Sequence, residues 1–512
     1  MEKLSSEQPF KHFLLMLIAF FAGFSVMVVE MTANRVLAPW FGNSLYTWTS
    51  LIGVILIALS VGYYFGGKLA DKYTEKPLLS GVLAFSGLTV MLIPLLVPLL
   101  DDQFSTADLI AGPVMSCVLL FILPGLSLGS VTPIVIRQVS LQSNDNEVGA
   151  SAGKVSALST IGSVIGTFAA GFVLIPMTDI RFIFLAIGIG LGICSLVSYL
   201  SHRRQTEKIK PIFILLMLPL FALLSIAVVF QVQQKDSSVL YEKNNFYHRV
   251  RVLNQFFNHK GNVTVLMLDT TYEGGQFNQS SRPLFPYHNA WQFIRLLEKP
   301  EHVLFLGGGA YSMPKLMSSA YPETIIEVVE VDPDVVDVGR KYFEIDQFKM
   351  LKPKVDDARH YLSRTVQRYD MIVGDVYHGI RSIPAHFTTQ EFFKTVDQKL
   401  KAEGFFLMNI VSSIQGRQSE IFKTMLKTVA SVFQFQSVYA TNSNLDQLQN
   451  ILILVSQNDL SDKLQQLSSS NQLESLLRNK VSISNIKFDQ YKLLTDFDNP
   501  IEYLVSKSLS NQ

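Results

Sequence analysis

The hydrophobic pattern of the chain changes once, near residue 234. Before that point, runs without a single charged residue occupy 13–29, 36–67, 77–100, 109–136, 155–178, 182–202 and 211–234. Each supplies the roughly 20 apolar residues that cross a hydrocarbon core about 30 Å thick, the first only at the short limit. Seven membrane helices are expected. The first is expected to stay in the mature chain, because no small-residue cleavage site follows it and the apolar spans continue. After residue 234 the period shortens. Residues 238–285 alternate apolar and polar positions, as in Val263–Leu268, between turn formers such as Gly274-Gly275, which predicts a few antiparallel strands. From 286 on, apolar runs at Val303–Leu306, Ile325–Val331, Met371–Val373, Phe405–Met408 and Ile451–Val455 alternate with helix-length segments such as 333–343 and 416–432. That alternation predicts a mainly parallel, doubly wound α/β sheet covered by helices on both faces. The expected organisation is a multi-pass α-helical membrane domain over 1–235, a small antiparallel β subdomain over 236–285, and a Rossmann-like domain with a polar tail over 286–512.

Charge supports two solvents. Residues 1–233 hold 25 charged side chains and residues 234–512 hold 60, roughly 11% against roughly 22%, the second near the soluble average. Lys3, Lys11, Lys68, Lys72, Lys76, Arg137, Lys154, Arg203, Arg204, Lys208 and Lys210 all flank spans on one side, and only Arg35 and Arg181 fall on the other, where Asp101, Asp102 and Asp108 cluster. Retention of basic residues in the cytoplasm puts the N-terminus inside. Seven crossings then put the C-terminal half outside. The net charge of +1 excludes a generic polyanion binder and gives no support for a nucleic-acid partner. Cys117 and Cys194 both lie in apolar stretches, so no disulfide framework is expected.

Within the spans, Glu30 stands at the end of the first apolar run, either as a functional carboxylate or as one at the membrane interface. Pro124, Gly125, Gly129 and Pro133 interrupt the fourth span, which reads as close helix packing rather than as a substrate path. Gly67-Lys-Leu-Ala-Asp71-Lys72 resembles the loop between the second and third helices of major facilitator transporters. Seven spans amount to about half of such a transporter.

In an open α/β sheet, ligands lie beyond the carboxyl ends of the strands. After the first run comes Gly307-Gly308-Gly309-Ala310, which permits a sharp turn and close approach of a nucleotide. Ser312 replaces the last glycine of a dinucleotide fingerprint, so NAD is disfavoured. Glu330-Val-Asp332 follows the second run, with Glu330 placed to take two ribose hydroxyls. Asp356-Asp357-Ala358 and Gly374-Asp375-Val-Tyr377-His378 complete four successive strand ends. Phosphates would favour Lys and Arg there, so a rim of acids points instead to a cationic adenosyl ligand such as a sulfonium. Asp375 is placed to accept the proton of an attacking amine.

These residues resemble the spermidine synthase (aminopropyltransferase) family, specifically its bacterial membrane-fused branch. The similarity is carried by Val303–Gly309, Val329–Asp332, Asp375–Phe392 and the tail Leu493–Pro500, and separately by Val29–Lys72 in the membrane part. The resemblance implies an S-adenosylmethionine-binding fold, decarboxylated S-adenosylmethionine as co-substrate with no tightly bound cofactor, and a diamine or polyamine acceptor. Glu330 would then hold the ribose, Asp357 and Ala358 the adenine, and Gly307, Gly308, Gly309 and Asp332 the rest of the donor. Asp375 would be the general base, and Tyr287, His288, Tyr377 and His378 would meet the acceptor. The implied setting is a bacterial inner membrane, with the lipid bilayer around the first part and room for a homodimer. Two departures bear on this: the family's Gly-Gly-Gly-Asp ends in Ala310, and the second Asp of its Asp-x-x-Asp is His378. Both lost carboxylates would have faced ammonium groups. His378 and His386 read as polar loop residues, and no metal is assigned. A methyltransferase using intact S-adenosylmethionine, and a non-catalytic nucleoside or polyamine sensor coupled to the membrane part, stand as alternatives.

Overall fold

A computed structural model describes residues 2–73, 77–142, 148–203, 212–233, 237–245, 247–257, 261–278, 280–376, 383–467, 473–484 and 486–509. The chain divides into two units, Met1–Asp236 with Asn244–Phe246, and Ser237–Lys243 with Tyr247–Gln512.

The first unit is helical, and among the described residues seven of its helices are long and apolar enough to cross a membrane: Lys11–Phe41, Leu45–Lys72, Leu78–Ser105, Ala111–Ser140, Gly149–Met177, Ile180–Ser201 and Leu216–Gln233. The apolar runs misplace the first boundary. One helix, Glu2–Phe41, continues through Glu30 and Arg35, and the break falls at Gly42-Asn43-Ser44. Glu30 is therefore inside a helix, not at its end. Glu and Arg are good helix formers, so a charge-free run records compatibility with lipid and not where a helix stops. The break has local causes: Gly42 takes φ +71°, and the Ser44 hydroxyl accepts the Thr47 N–H at 3.2 Å to cap the next helix.

Small residues form the seams between these helices. A Cβ on Gly62 would lie 2.3 Å from the Leu126 carbonyl, and one on Gly129 would lie 2.8 Å from that of Leu59. The Ser130 hydroxyl donates across the same seam to the Gly62 carbonyl at 3.0 Å. A second seam sets Gly162 and Gly166 against Phe20 and Phe24, and Gly23 against Ser159. Without a hydrophobic drive between helices in lipid, such backbone approach supplies much of the packing. Asp71 pairs with Arg137 at 3.2 Å.

The second unit contains two sheets. Strands β1 (Val239–Asn244), β2 (Arg249–Phe257), β3 (Gly261–Leu268), β4 (Thr271–Phe277) and β5 (Ser280–Pro283) form a five-stranded sheet in sequence order, with β2 to β5 antiparallel. The larger sheet has the order β13-β11-β12-β10-β9-β6-β7-β8. Its parallel part is β6 (His302–Leu306), β7 (Ile325–Glu330), β8 (Leu351–Val355), β9 (Tyr369–Gly374) and β10 (Leu400–Ser412). Strands β11 (Phe435–Ala440), β12 (Gln449–Ser456) and β13 (Lys480–Val481) extend it antiparallel. Val303, Leu304, Phe305 and Leu306 are all buried, as a strand covered on both faces must be. Asp332 and Asp357 cap the helices Pro333–Phe343 and Ala358–Arg364 through their carboxylates, which fixes where β7 and β8 hand over to helix.

Candidate active site

The carboxyl ends of β6, β7 and β9 open into one cleft, lined among the described residues by Glu273, His288, Gly307, Gly308, Gly309, Ala310, Glu330, Asp357, Ala358, Asp375 and His386, with Tyr247 and Phe387 at its sides. It encloses about 1090 Å³, part of it open to solvent.

The glycine turn brings the strand ends close together. Gly307 has φ +96°, and a Cβ there would stand 2.1 Å from the Asp375 carbonyl, so only glycine allows β6 and β9 to end side by side. The Gly307 N–H donates to the Val329 carbonyl, and the Asp375 N–H donates to the Leu306 carbonyl, both at 2.9 Å. Glu330 is buried at the cleft wall and accepts two backbone hydrogen bonds, from Gly308 N–H at 2.9 Å and Asp332 N–H at 3.0 Å. Burial raises its pKa, and those two donors oppose the rise. The carboxylate is thereby held rigidly while retaining lone pairs for a ligand hydroxyl.

Asp375 sits between two elements. Its Oδ1 accepts from Asn409 Nδ2 at 2.9 Å, and its Oδ2 accepts from the Tyr287 hydroxyl at 3.4 Å. Asn409 is itself oriented by Asn450, whose Nδ2 donates to Asn409 Oδ1 at 3.1 Å. Burial lifts the Asp375 carboxyl to about 6, against the pull of Asn409 and Tyr287. Burial and the neighbouring Asp375 keep the Tyr287 phenol protonated far above its usual range. The adjacent His288 is 3% exposed and burial pushes it down to about 3, so it is neutral. Its Nδ1 has no hydrogen-bond partner among the described residues.

Asp357 accepts the His360 N–H at 2.8 Å and faces His386 Nε2 at 3.5 Å, and the His386 contact holds its carboxyl below the usual range. Ala358 is buried beside it. Asp332 behaves differently from the other strand-end acids. It is fully buried, accepts the Asp334 N–H at 2.9 Å, faces His248 Nδ1 at 3.3 Å, and does not line the cleft. Capping the helix turns its carboxylate away, so Asp332 is not brought together with the other strand-end acids in the cleft. Tyr377 and His378 lie outside the described residues.

The strand-end rule missed several residues. Asn409 directly follows the apolar run Phe405–Met408, and the same rule carried one strand further reaches it. Glu273, Tyr247 and His248 come from the small sheet and its loops, which carry no strand-end signal. Glu273 is placed by packing: a Cβ on Gly309 would meet its carbonyl at 2.8 Å, and Gly274 abuts Ala310.

Residues 286–462 match the spermine/spermidine synthase domain family. The chain is 30% identical over 237 residues to a polyamine aminopropyltransferase of Vibrio vulnificus, covering 44% of this chain and 77% of that protein. It is 21% identical over 428 residues to polyamine aminopropyltransferase 2 of Aquifex aeolicus, covering 81% of this chain and 82% of that protein. Among solved structures, a probable spermidine synthase from Corynebacterium glutamicum aligns with a TM-score of 0.40 and 21% identity, over 48% of this chain and 87% of that one.

Proposed function

Because the chain belongs to the spermidine synthase family of polyamine aminopropyltransferases, and is a transferase of that type, we propose that its second unit moves an aminopropyl group from decarboxylated S-adenosylmethionine to an amine or polyamine. The observation that carries this is the placement of Asp375, a half-buried carboxylate pinned between Asn409 and Tyr287 in the cleft that Glu330 and Asp357 share. Glu330 would take the ribose hydroxyls, and Asp357 and Ala358 the adenine, above the glycine turn. The acceptor nitrogen attacks the carbon next to sulfur. The carbon–sulfur bond breaks with its electron pair going to sulfur, so the sulfonium becomes the neutral thioether of methylthioadenosine. The proton shed by the new amine goes to Asp375. The seven apolar helices would anchor this unit in a bacterial inner membrane, with the N-terminus in the cytoplasm.

The test uses the full chain in detergent or nanodiscs with the decarboxylated donor and a panel of diamines, following methylthioadenosine. Turnover is expected with at least one amine, and Asp375→Asn should lower kcat by roughly 10²–10⁴-fold, the range for a lost general base. Absence of product from every amine, or an unimpaired Asp375→Asn enzyme, would contradict the proposal.

A further inference from the structure

The cleft holds an acid that the strand-end pattern does not supply. Glu273, on β4 of the small sheet, lines the cleft together with Glu330, Asp357 and Asp375, and no Lys or Arg lines it among the described residues. Elsewhere in the same unit acids find cations: Asp370 has Lys401 at 3.1 Å, Asp334 has Lys243 at 2.7 Å, and Asp496 has Arg359 at 2.6 Å. The Glu273 carboxylate has neither a hydrogen bond nor an ion pair among the described residues, and desolvation together with Asp375 and Glu330 raises its pKa. Buried His288 in the same wall also has an Nδ1 without a hydrogen-bond partner among the described residues. A half-buried acid with acidic neighbours and no cation is costly unless a positively charged ligand supplies the missing partner.

Its location relates to the acid that is missing from the glycine turn. Ala310 stands where the resembled motif has Asp, and Ala310 is packed against Gly274, the residue that follows Glu273. Strand β4 is held to the helix after the turn by Lys315 Nζ, which donates to Gln276 Oε1 at 2.6 Å, and by Ser312, whose hydroxyl donates to the Gly275 carbonyl at 3.4 Å. The adjoining strand thus sets an acidic residue beside the turn that lacks one at 310.

We infer that Glu273 is the specificity residue that pairs with the primary ammonium of a dicationic adenosyl donor and disfavours the zwitterionic, carboxylated form. This rests on the aminopropyl-transfer reading. A ligand with sulfonium and ammonium brings two positive charges to Glu273 and Asp375, whereas the intact amino-acid group would bring a carboxylate among acids.

The test compares full-length wild type and Glu273→Gln, which keeps size and removes charge, for binding of three nucleosides: the decarboxylated donor, S-adenosylmethionine and methylthioadenosine. Methylthioadenosine has no ammonium and reports whether the cleft is folded. Wild type should prefer the decarboxylated donor, and Glu273→Gln should weaken it by about tenfold or more, as for a lost charge-assisted hydrogen bond. The affinity for methylthioadenosine should stay within roughly threefold, and discrimination against S-adenosylmethionine should narrow. Unchanged binding of the decarboxylated donor by Glu273→Gln, or equal loss of all three nucleosides, would overturn the inference and leave aminopropyl transfer standing. Wild type that binds methylthioadenosine but prefers S-adenosylmethionine, or that binds none of the three, would overturn both. Glu273→Asp should restore part of the affinity for the decarboxylated donor, an outcome that a purely structural role does not give.

Discussion

Asp375 leads to two predictions of opposite sign. As the proposed base it must be ionised, so kcat/KM should fall as pH drops through about 6, the value to which burial lifts it. For folding, a carboxyl whose pKa is raised in the native state stabilises fully below its unfolded pKa, and that contribution is lost as pH rises through the folded value. Replacing it by Asn should therefore leave stability nearly unchanged at pH 4 and raise it at pH 8, by on the order of 1–3 kcal/mol, while activity is lost. Thermal unfolding of Asp375→Asn and wild type at the two pH values checks this; stabilisation at pH 4 alone would contradict it. Glu330 and Asp375 were legible in the sequence because each stands at the carboxyl end of an apolar strand run, and a parallel sheet delivers such ends to one edge, whereas Asp357 follows a strand without such a run and was legible only through its place among the successive acid-bearing segments and the resemblance. Asp332 obeys the same spacing yet turns to a helix N-terminus, a choice that spacing does not encode. Glu273 was not legible because its strand belongs to the other sheet, and only the packing of Gly274 on Ala310 brings it in.

At the level of elements, the tail 493–500 braces the loop that closes one side of the cleft. Arg359 makes a two-pronged pair with Asp496 at 2.8 and 2.6 Å and donates to the His386 carbonyl at 3.0 Å. Asn499 donates to the Ala385 carbonyl and the Thr388 hydroxyl at 2.8 and 2.9 Å. Removing Asp496 by Ala should loosen residues 384–388, seen as faster limited proteolysis there and a several-fold weaker donor, roughly 1 kcal/mol for a half-exposed pair. Unaltered proteolysis and binding would show that the tail does not brace the loop. In the membrane unit, Gly62→Leu should abolish accumulation of folded protein, since its side chain would strike the Leu126 backbone, whereas Gly53→Ala, which has open space, should be tolerated. Comparable yields of the two variants, measured by size-exclusion profile, would contradict the seam. The strongly apolar or strongly alternating elements were readable from the pattern alone. Strand β8, Leu-Lys-Pro-Lys-Val, was not, because an edge strand needs no apolar run. The first helix outlasted its charge-free run because Glu30 and Arg35 do not interrupt helical hydrogen bonding.

At the scale of the whole molecule, the sequence separates a lipid-compatible part from a water-compatible part, and within the second it marks acids at the strand ends that share one cleft. The side of the membrane follows from counting. With the N-terminus inside and seven crossings, a cysteine introduced near Gln512 should react with an impermeant thiol reagent in intact cells. Protection until the cells are opened would mean that an even number of spans crosses, which would place the cleft in the compartment where adenosyl donors are made. In the proposed reading, acids gathered at the strand ends hold a cationic adenosyl donor. A structure of the full chain with bound methylthioadenosine tests it most directly. The account predicts ribose hydroxyls within hydrogen-bond distance of Glu330, adenine against Asp357 and Ala358, and the sulfur turned toward Asp375 and Glu273. A nucleoside seated elsewhere, or with its ribose turned away from Glu330, would contradict it.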